Sequence, residues 1–372
     1  MALSLVSSVA ARADDLTVDC DAAKVGQVRN AIFSLSSLEG PHSITINGTC
    51  REPGPVPIDQ RERLTLLAGP AGGAIVTANH QFAAVRISQS SNITLAGLDI
   101  SGGGNGVNVY DSTQVDLESC NIHDNLRSGV VVFHGSRLDF NGGSVNHNGR
   151  NGFGVGEGHL TIDSTDISGN AWSGISASDT SAVTASNLTL RDNGTYGVIV
   201  FHVSELVLTA STVTGNGNAG IRVSETSHGE IYGGNVIRNN GRANGDPGVY
   251  VSEQGEVFLG GADISGNAGD GVRGTAGATL SGEGGNTITG NGRDGIRLDR
   301  GSFEQFLATD TFSGNARANI RCDSVSWIAG DPGTDKRVQC RRVEALDDDG
   351  QDSRDRDSRR KMHGSREDAK GD

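Results

Sequence analysis

The chain has 372 residues, 55 of them Gly and 7 Pro, with 35% hydrophobic and 4% aromatic residues and a formal net charge of −14. Glycine at that level without a strict triplet excludes a collagen helix, and its interleaving with Val, Ile and Leu separates it from low-complexity disorder. No apolar run approaches the ~18 residues of a membrane-spanning helix, and an acidic chain with no basic patch among aromatics argues against a nucleic-acid partner.

Residues 1–13, MALSLVSSVAARA, form a short apolar run ending in the small-residue site Ala11-Arg12-Ala13, followed by Asp14 and Asp15. This reads as an export signal, although the usual positive start is missing. The expected location is secreted, periplasmic or cell-surface. Five cysteines fit an oxidising compartment. Cys20 with Cys50 brackets the start of the fold and Cys322 with Cys340 its end, so two local disulfides are expected, with Cys120 left over as a small buried side chain.

The stretch GNGRDGIRL at 290–298 has most of a calcium-binding nonapeptide, but it also reads as a turn leading into a strand. Its recurrence decides between the two. Asn followed by Gly plus Val, Ile or Phe returns at Asn125/Gly129, Asn148/Gly152, Asn170/Gly174, Asn193/Gly197, Asn216/Gly220, Asn240/Gly248, Asn267/Gly271 and Asn291/Gly295, with Asn315/Asn319 closing the series. The glycines step by 23, 22, 23, 23, 28, 23 and 24 residues, and a fixed period of this size means a stacked solenoid. A calcium roll needs back-to-back nonapeptides. Moreover, the Asp294 position holds Asp270 in one coil but Ser128, Asn151, Ser173, Tyr196 or Ala219 in others. The stretch is a turn. No cofactor motif is evident, and calcium is left without one.

Other apolar residues follow the same clock. Ten and eight residues before each Asn stand pairs such as Val115/Leu117 and Leu206/Leu208; three before it stand Ile122, Val145 or Ile167. Each repeat therefore holds three short strands separated by turns, and like residues of successive coils stack ~4.8 Å apart into long parallel sheets. The Asn is expected to be structural. It tolerates left-handed backbone, and its amide can both donate and accept in a ladder along the turn.

This pattern resembles the right-handed parallel β-helix proteins of the pectin-lyase-like superfamily over about residues 23–340. In that resemblance AAKVGQVRNAIFSLSS is the helix capping the solenoid, SITINGTC and RLTLLAG are early coils, and NIRCDSVSWIAGDPGTDKRVQC is the closing one. The expected fold is all-β, a single right-handed parallel β-helix over 14–340 with about ten coils or slightly more, expected to be monomeric. From 341 to 372 the pattern gives way to mixed charge with few apolar residues, which reads as a disordered tail. Its DDDGQD is no EF-hand loop, because Ala345 and Arg356 would occupy the first and twelfth positions.

The resemblance implies that a polysaccharide, if bound, lies along the sheet formed by the strand after the Gly turn. Alternation places Arg222, Tyr250, Arg273, Arg297 and Arg321 outward there, a stripe suited to the carboxylates of a polyuronate. The competing reading is internal neutralisation, with Asp299 beside Arg297 and Asp323 beside Arg321. At the strand ends, His202, Glu225 and Glu253 are candidate acid/base groups, with the insertion GRANGDP expected to overhang them. Phe133 and Phe201 add outward aromatic surface beside Val131 and Ile199. Against catalysis, the superfamily's enzyme signatures are absent: Ser227-His228-Gly229 only echoes Gly-His-Gly, Asp246-Pro247-Gly248 stops short of Asp-Pro-His-Asp, and no Asp-Asp occurs between 16 and 346. The expected function is interaction with a polysaccharide or cell-surface glycan, as a lyase, hydrolase or epimerase of unassigned family. The alternative is a non-catalytic adhesion or scaffold solenoid.

Overall fold

The structure is a computed structural model that describes residues 13–305, 309–329 and 337–343. Of the terminal segments read from sequence, the export signal and the charged tail lie outside the described residues, apart from Ala13 and 341–343.

Each coil has three short parallel strands, as in Gln114–Glu118, Asn121–His123 and Val130–Phe133. They build three faces, here called sheets one, two and three in that order. Sheet three contains thirteen strands, more than the about ten coils counted from the Asn–Gly signature. The extra coils, such as those of Val56–Asp59 and Val338–Gln339, keep the strand but not the signature. Sheets one and two merge near the N-terminus, because Glu39–Glu52 and Glu62–Thr77 each run through both faces.

Register is set by the apolar columns. Val107, Val130, Phe153, Ile175, Val198 and Ile221 are Cα partners in successive coils, and all are buried. A one-residue slip would turn every one of them to solvent, so the alternation holds the stack in phase.

The end caps follow simple electrostatics. The helix Gln27–Ser34 buries Val28 and Ile32 on the first coils. Glu52 accepts a hydrogen bond from the Val28 N–H at 2.9 Å, near the helix N-terminus. Arg61 donates to the Ile32 carbonyl at 2.9 Å near its C-terminus. Each charge opposes the dipole end it meets. Cys20–Cys50 and Cys322–Cys340 are disulfides, and Cys120 is buried and free, with burial pushing its thiol up to about 11. Arg341–Val343 pairs with Trp327–Ala329, so sheet one extends three residues past the expected boundary at 340.

The Asn ladder forms, though one of the reasons given for Asn is wrong. None of the ladder asparagines has positive φ; the residue before each does, as at Asp124 (φ 51°), His147 (φ 52°) and Asp192 (φ 55°). Asn is selected for its hydrogen bonds instead. The Oδ1 of Asn216 accepts from both the backbone N–H and Nδ2 of Asn193, each at 3.1 Å. Asn216 Nδ2 in turn donates to Asn240 Oδ1 at 2.9 Å and to the Leu190 carbonyl at 3.3 Å. This unit repeats from Asn125 to Asn315 and satisfies buried main-chain groups that the turn would otherwise orphan. The glycine four residues on is required by the same ladder. A Cβ at Gly197 would stand 3.0 Å from Asn216 Nδ2, 2.5 Å from a Val213 methyl and 2.6 Å from the Gly220 carbonyl.

Candidate functional site

Sheet three carries the arginine column, and its register confirms the alternation: Arg222 pairs with Tyr250, Tyr250 with Arg273, Arg273 with Arg297, and Arg297 with Arg321. One strand spacing between like charges is repulsive unless anions intervene. Here they do. Asp299 accepts from Arg273 Nη2 at 3.0 Å and from Arg297 Nε at 2.9 Å, and its carboxylate holds the Arg297 guanidinium above its ordinary value. Asp294, fully buried, lies 3.7 Å from both Arg297 and Arg321.

The internal pairing is therefore real but differs from the expected one. Asp323 does not serve Arg321. It accepts the backbone N–H groups of Arg300, Val325 and Ser326 at 2.6, 3.1 and 2.9 Å and so closes the turn after Cys322. The partner the sequence reading missed is Asp294, whose column was read only as evidence against calcium. That column stands directly before the Gly. Asp294 belongs to the turn as well: its Oδ1 accepts from Ala318 N–H, and its own N–H donates to Asp270 Oδ1, both at 2.9 Å. Burial pushes the Asp270 carboxyl upward.

Arg222 is the exception in the column. Among the described residues no carboxylate lies within ion-pair distance of it. Its guanidinium sits 5.8 Å from the Tyr196 ring centre and 5.4 Å from that of Tyr250. Its Nη1 donates to the Tyr196 hydroxyl at 3.0 Å, and its buried Nε has no partner. Tyr196 belongs to the same pre-Gly column as Asp294, so reading that column for partners would have found both. Arg293 and Arg317, two residues after the ladder Asn in their coils, add positive charge along the adjoining turn.

The strand-end candidates come together on the other border of sheet three. His202 Nε2 lies 2.7 Å from Glu225 Oε2, and Nδ1 lies 3.1 Å from Asp179 Oδ1. Glu253 follows one coil on, lining the same open depression. Such a carboxylate–imidazole–carboxylate row can pass a proton, but its members are half exposed and nothing encloses them. GRANGDP does not overhang this row. Gly241 and Ala243 N–H groups bind the Asn218 and Gly217 carbonyls at 2.7 and 2.8 Å, and Arg242 reaches Asp192 at 3.7 Å. The loop thus flanks the start of the Val249–Ser252 strand, whereas Glu253 follows its end. Of the outward aromatic surface, Phe133 is exposed and covers Gly156, while Val131 is buried.

A family model described as a right handed beta helix region matches residues 83–240. No curated protein sequence matches the chain. Among solved structures, the chain is similar to the A-module of a mannuronan C-5 epimerase from Azotobacter vinelandii, at 16% identity over 85% of this chain and 100% of that one, with a TM-score of 0.51. It is similar also to a DFA-IIIase from Arthrobacter chlorophenolicus (13% identity, 81% and 86% coverage, TM-score 0.54) and to the Agl-KA catalytic domain (13%, 84% and 68%, TM-score 0.57). Repeat, register and likeness agree: the chain is a right-handed parallel β-helix, the fold it shares with these solved structures.

Proposed function

We propose that the protein binds an anionic polysaccharide on sheet three, between the coils of Arg222 and Arg321. One observation carries this reading: Arg222 lies between two tyrosine rings and, among the described residues, has no carboxylate within ion-pair distance. A partly desolvated guanidinium without an ion-pair partner is a strong donor site for a uronate carboxylate, and the flanking rings offer faces to sugar C–H groups. The wider patch supports it. Arg222, Arg273, Arg297 and Arg321 bring four guanidiniums together on a chain whose net charge is −14, with Asp270, Asp294 and Asp299 set among the last three and Glu253 near the first. The solved structures of similar fold include an enzyme named for mannuronan. Export, with a secreted, periplasmic or cell-surface location, is part of the same proposal and draws support from the two disulfides.

Turnover is assigned to His202 and Glu225, with Glu253 beside them, as the acid/base groups of a lyase, hydrolase or epimerase. They lie roughly 10 Å along the strand from the Arg222 column, three residues at ~3.3 Å each. The test incubates the protein with uronate and neutral polysaccharides and reads binding, reducing ends, unsaturated products and C-5 stereochemistry together. Uronate binding that falls about tenfold or more in Arg222→Ala is the expected result. Product formation abolished in Glu225→Gln identifies the catalytic row. Absence of uronate binding refutes the proposal and leaves the scaffold reading, which the internal pairing of Arg273, Arg297 and Arg321 favours.

A further inference from the structure

Sheet one, which the arginine column does not reach, departs from its repeat in three consecutive coils: His228–Tyr232, Glu256–Gly260 and Thr279–Gly284. Most earlier coils place small or polar side chains at the outward positions of this sheet, such as Thr161, Thr184 and Thr209. Here Glu230, Phe258 and Ser281 stand side by side in register. Tyr232 closes its strand and is exposed. In the third coil a β-bulge skips Glu283: Leu259 pairs with Gly282 and Gly260 with Gly284. A bulged residue leaves the ladder and is re-aimed outward. Gly282 permits the bulge, since a Cβ there would fall 1.9 Å from the Leu259 carbonyl.

The three departures make one notch. A Cβ on Gly260 would lie 3.4 Å from that of Tyr232 and 3.7 Å from both the Cβ and Oε2 of Glu283. Gly260 is thus the bare floor between an aromatic wall and a carboxylate wall. His228, Glu230, Phe258 and Ser281 complete the depression. Glu256 adds a third carboxylate, 3.8 Å from His228 Nδ1, while His228 Nε2 is 3.6 Å from Glu230. Among the described residues no Lys or Arg lines it.

We propose that this notch binds a cationic sugar, a glucosamine unit or oligomer with free amines. One exposed and one half-buried aromatic ring, Tyr232 and Phe258, on a chain that is only 4% aromatic provide a platform for a pyranose face. Three carboxylates against one imidazole select an ammonium and repel a uronate, the opposite of the preference assigned to sheet three. The inference does not rest on that assignment.

The experiment measures binding of a β-1,4-linked glucosamine tetramer to the full chain by titration calorimetry at two salt concentrations. Its comparators are the N-acetylated tetramer, tetragalacturonate and tetralysine. The expected result is binding of the free-amine tetramer that weakens with salt and falls about tenfold in Glu283→Gln and in Tyr232→Ala. Arg222→Ala leaves it unchanged. Both substituted side chains are on the surface, and unchanged circular dichroism and melting verify that the variants fold. No binding of the tetramer overturns the proposal. Equal affinity for the N-acetylated tetramer removes the charge selection and overturns it, and equal affinity for tetralysine overturns the claim of a sugar.

Discussion

Glu304 stands where the core should hold an aliphatic residue. Its Cα partners are Leu280 on one side and Ile328 on the other; it is 6% exposed, and among the described residues its Oε2 has no hydrogen-bond partner. Burial pushes its carboxyl well above the ordinary range, with the charge of Asp310 adding to the effect. Asp310 is raised too, by burial, although it accepts from the N–H and Nδ2 of Asn286 at 2.9 and 3.0 Å. The sign of the linkage follows. Above about pH 4.5 the unfolded chain releases the Glu304 proton while the folded chain keeps it, so the folded state binds more protons and loses stability as pH rises. The slope approaches about 1.4 kcal/mol per pH unit wherever the unfolded group is ionised and the folded one is protonated. Glu304→Gln should abolish this component. Glu304→Leu should abolish it and restore the apolar column, stabilising the C-terminal coils by roughly 1.5–3 kcal/mol through burial alone and by more at pH 6.5 than at pH 4.5. Solenoid coils can unfold locally, so the probe must be local as well. Trp327 stacks on Phe303 with centroids 4.2 Å apart, one residue from Glu304 in register. In a Trp172→Phe background its fluorescence reports urea unfolding of this end alone. If the stability difference between Glu304 and Leu variants is the same at pH 4.5 and 6.5, the buried-carboxyl argument is refuted.

The ladder gives two further expectations. Asn216→Ala removes the acceptor of the Asn193 N–H and the donor to Leu190, inside a turn where Asn216 is fully buried. It should cost roughly 2–6 kcal/mol in chemical unfolding, at about 1–3 kcal/mol per orphaned group, against less than about 1 kcal/mol for Asn218→Ala at the surface of the same turn. Gly197→Ala should cost about 3 kcal/mol or more by the same assay, because the added methyl meets a Val213 methyl, the Gly220 carbonyl and the ladder amide at 2.5–3.0 Å. A glycine of positive φ and open surroundings, Gly234, should by comparison lose only about 1 kcal/mol on the same change.

The architecture was legible because a solenoid repeats each constraint coil after coil. Val107 through Ile221 read as one column, and the structure keeps every member in register. Both disulfides were legible from their place at the two ends. The coil number fell short because Val56–Asp59 and Val338–Gln339 are built without the Asn–Gly turn. What was illegible is lateral. Alternation says that Arg321 points outward, but not that its anion is Asp294, in the turn of the preceding coil. Nor does it say that the anion beside it in the next strand position, Asp323, has been taken by backbone N–H groups. A pattern along the chain orders side chains within a column. Which of two neighbouring columns a long guanidinium leans toward is decided by desolvation and by competing backbone donors. The notch on sheet one was hidden for a related reason, since a single skipped residue at Glu283 is invisible to a period that varies between 22 and 28.

These lateral choices give the molecule two surfaces of opposite sign, and the separation of the two can be tested. Arg222 belongs to sheet three and Glu283 to sheet one, with the buried apolar columns between them. Faces of packed sheets stand about 10 Å apart even before side chains are added. At such distances, substitutions without a shared partner combine additively to within about 0.5 kcal/mol. Thus the double variant Arg222→Ala/Glu283→Gln should lose uronate binding by the factor of the first change alone and glucosamine-tetramer binding by the factor of the second alone. A mixed polymer carrying both uronate and free amine could still wrap the solenoid, but the component affinities would remain uncoupled. Coupling of more than about 1 kcal/mol between the two substitutions, measured with either short ligand, would mean that one ligand contacts both faces or that the coil relays strain across its core. The ladder makes that relay poor: each turn is pinned by hydrogen bonds of 2.9–3.3 Å to the coils on either side, so displacement in one face is shared along the stack before it crosses the section.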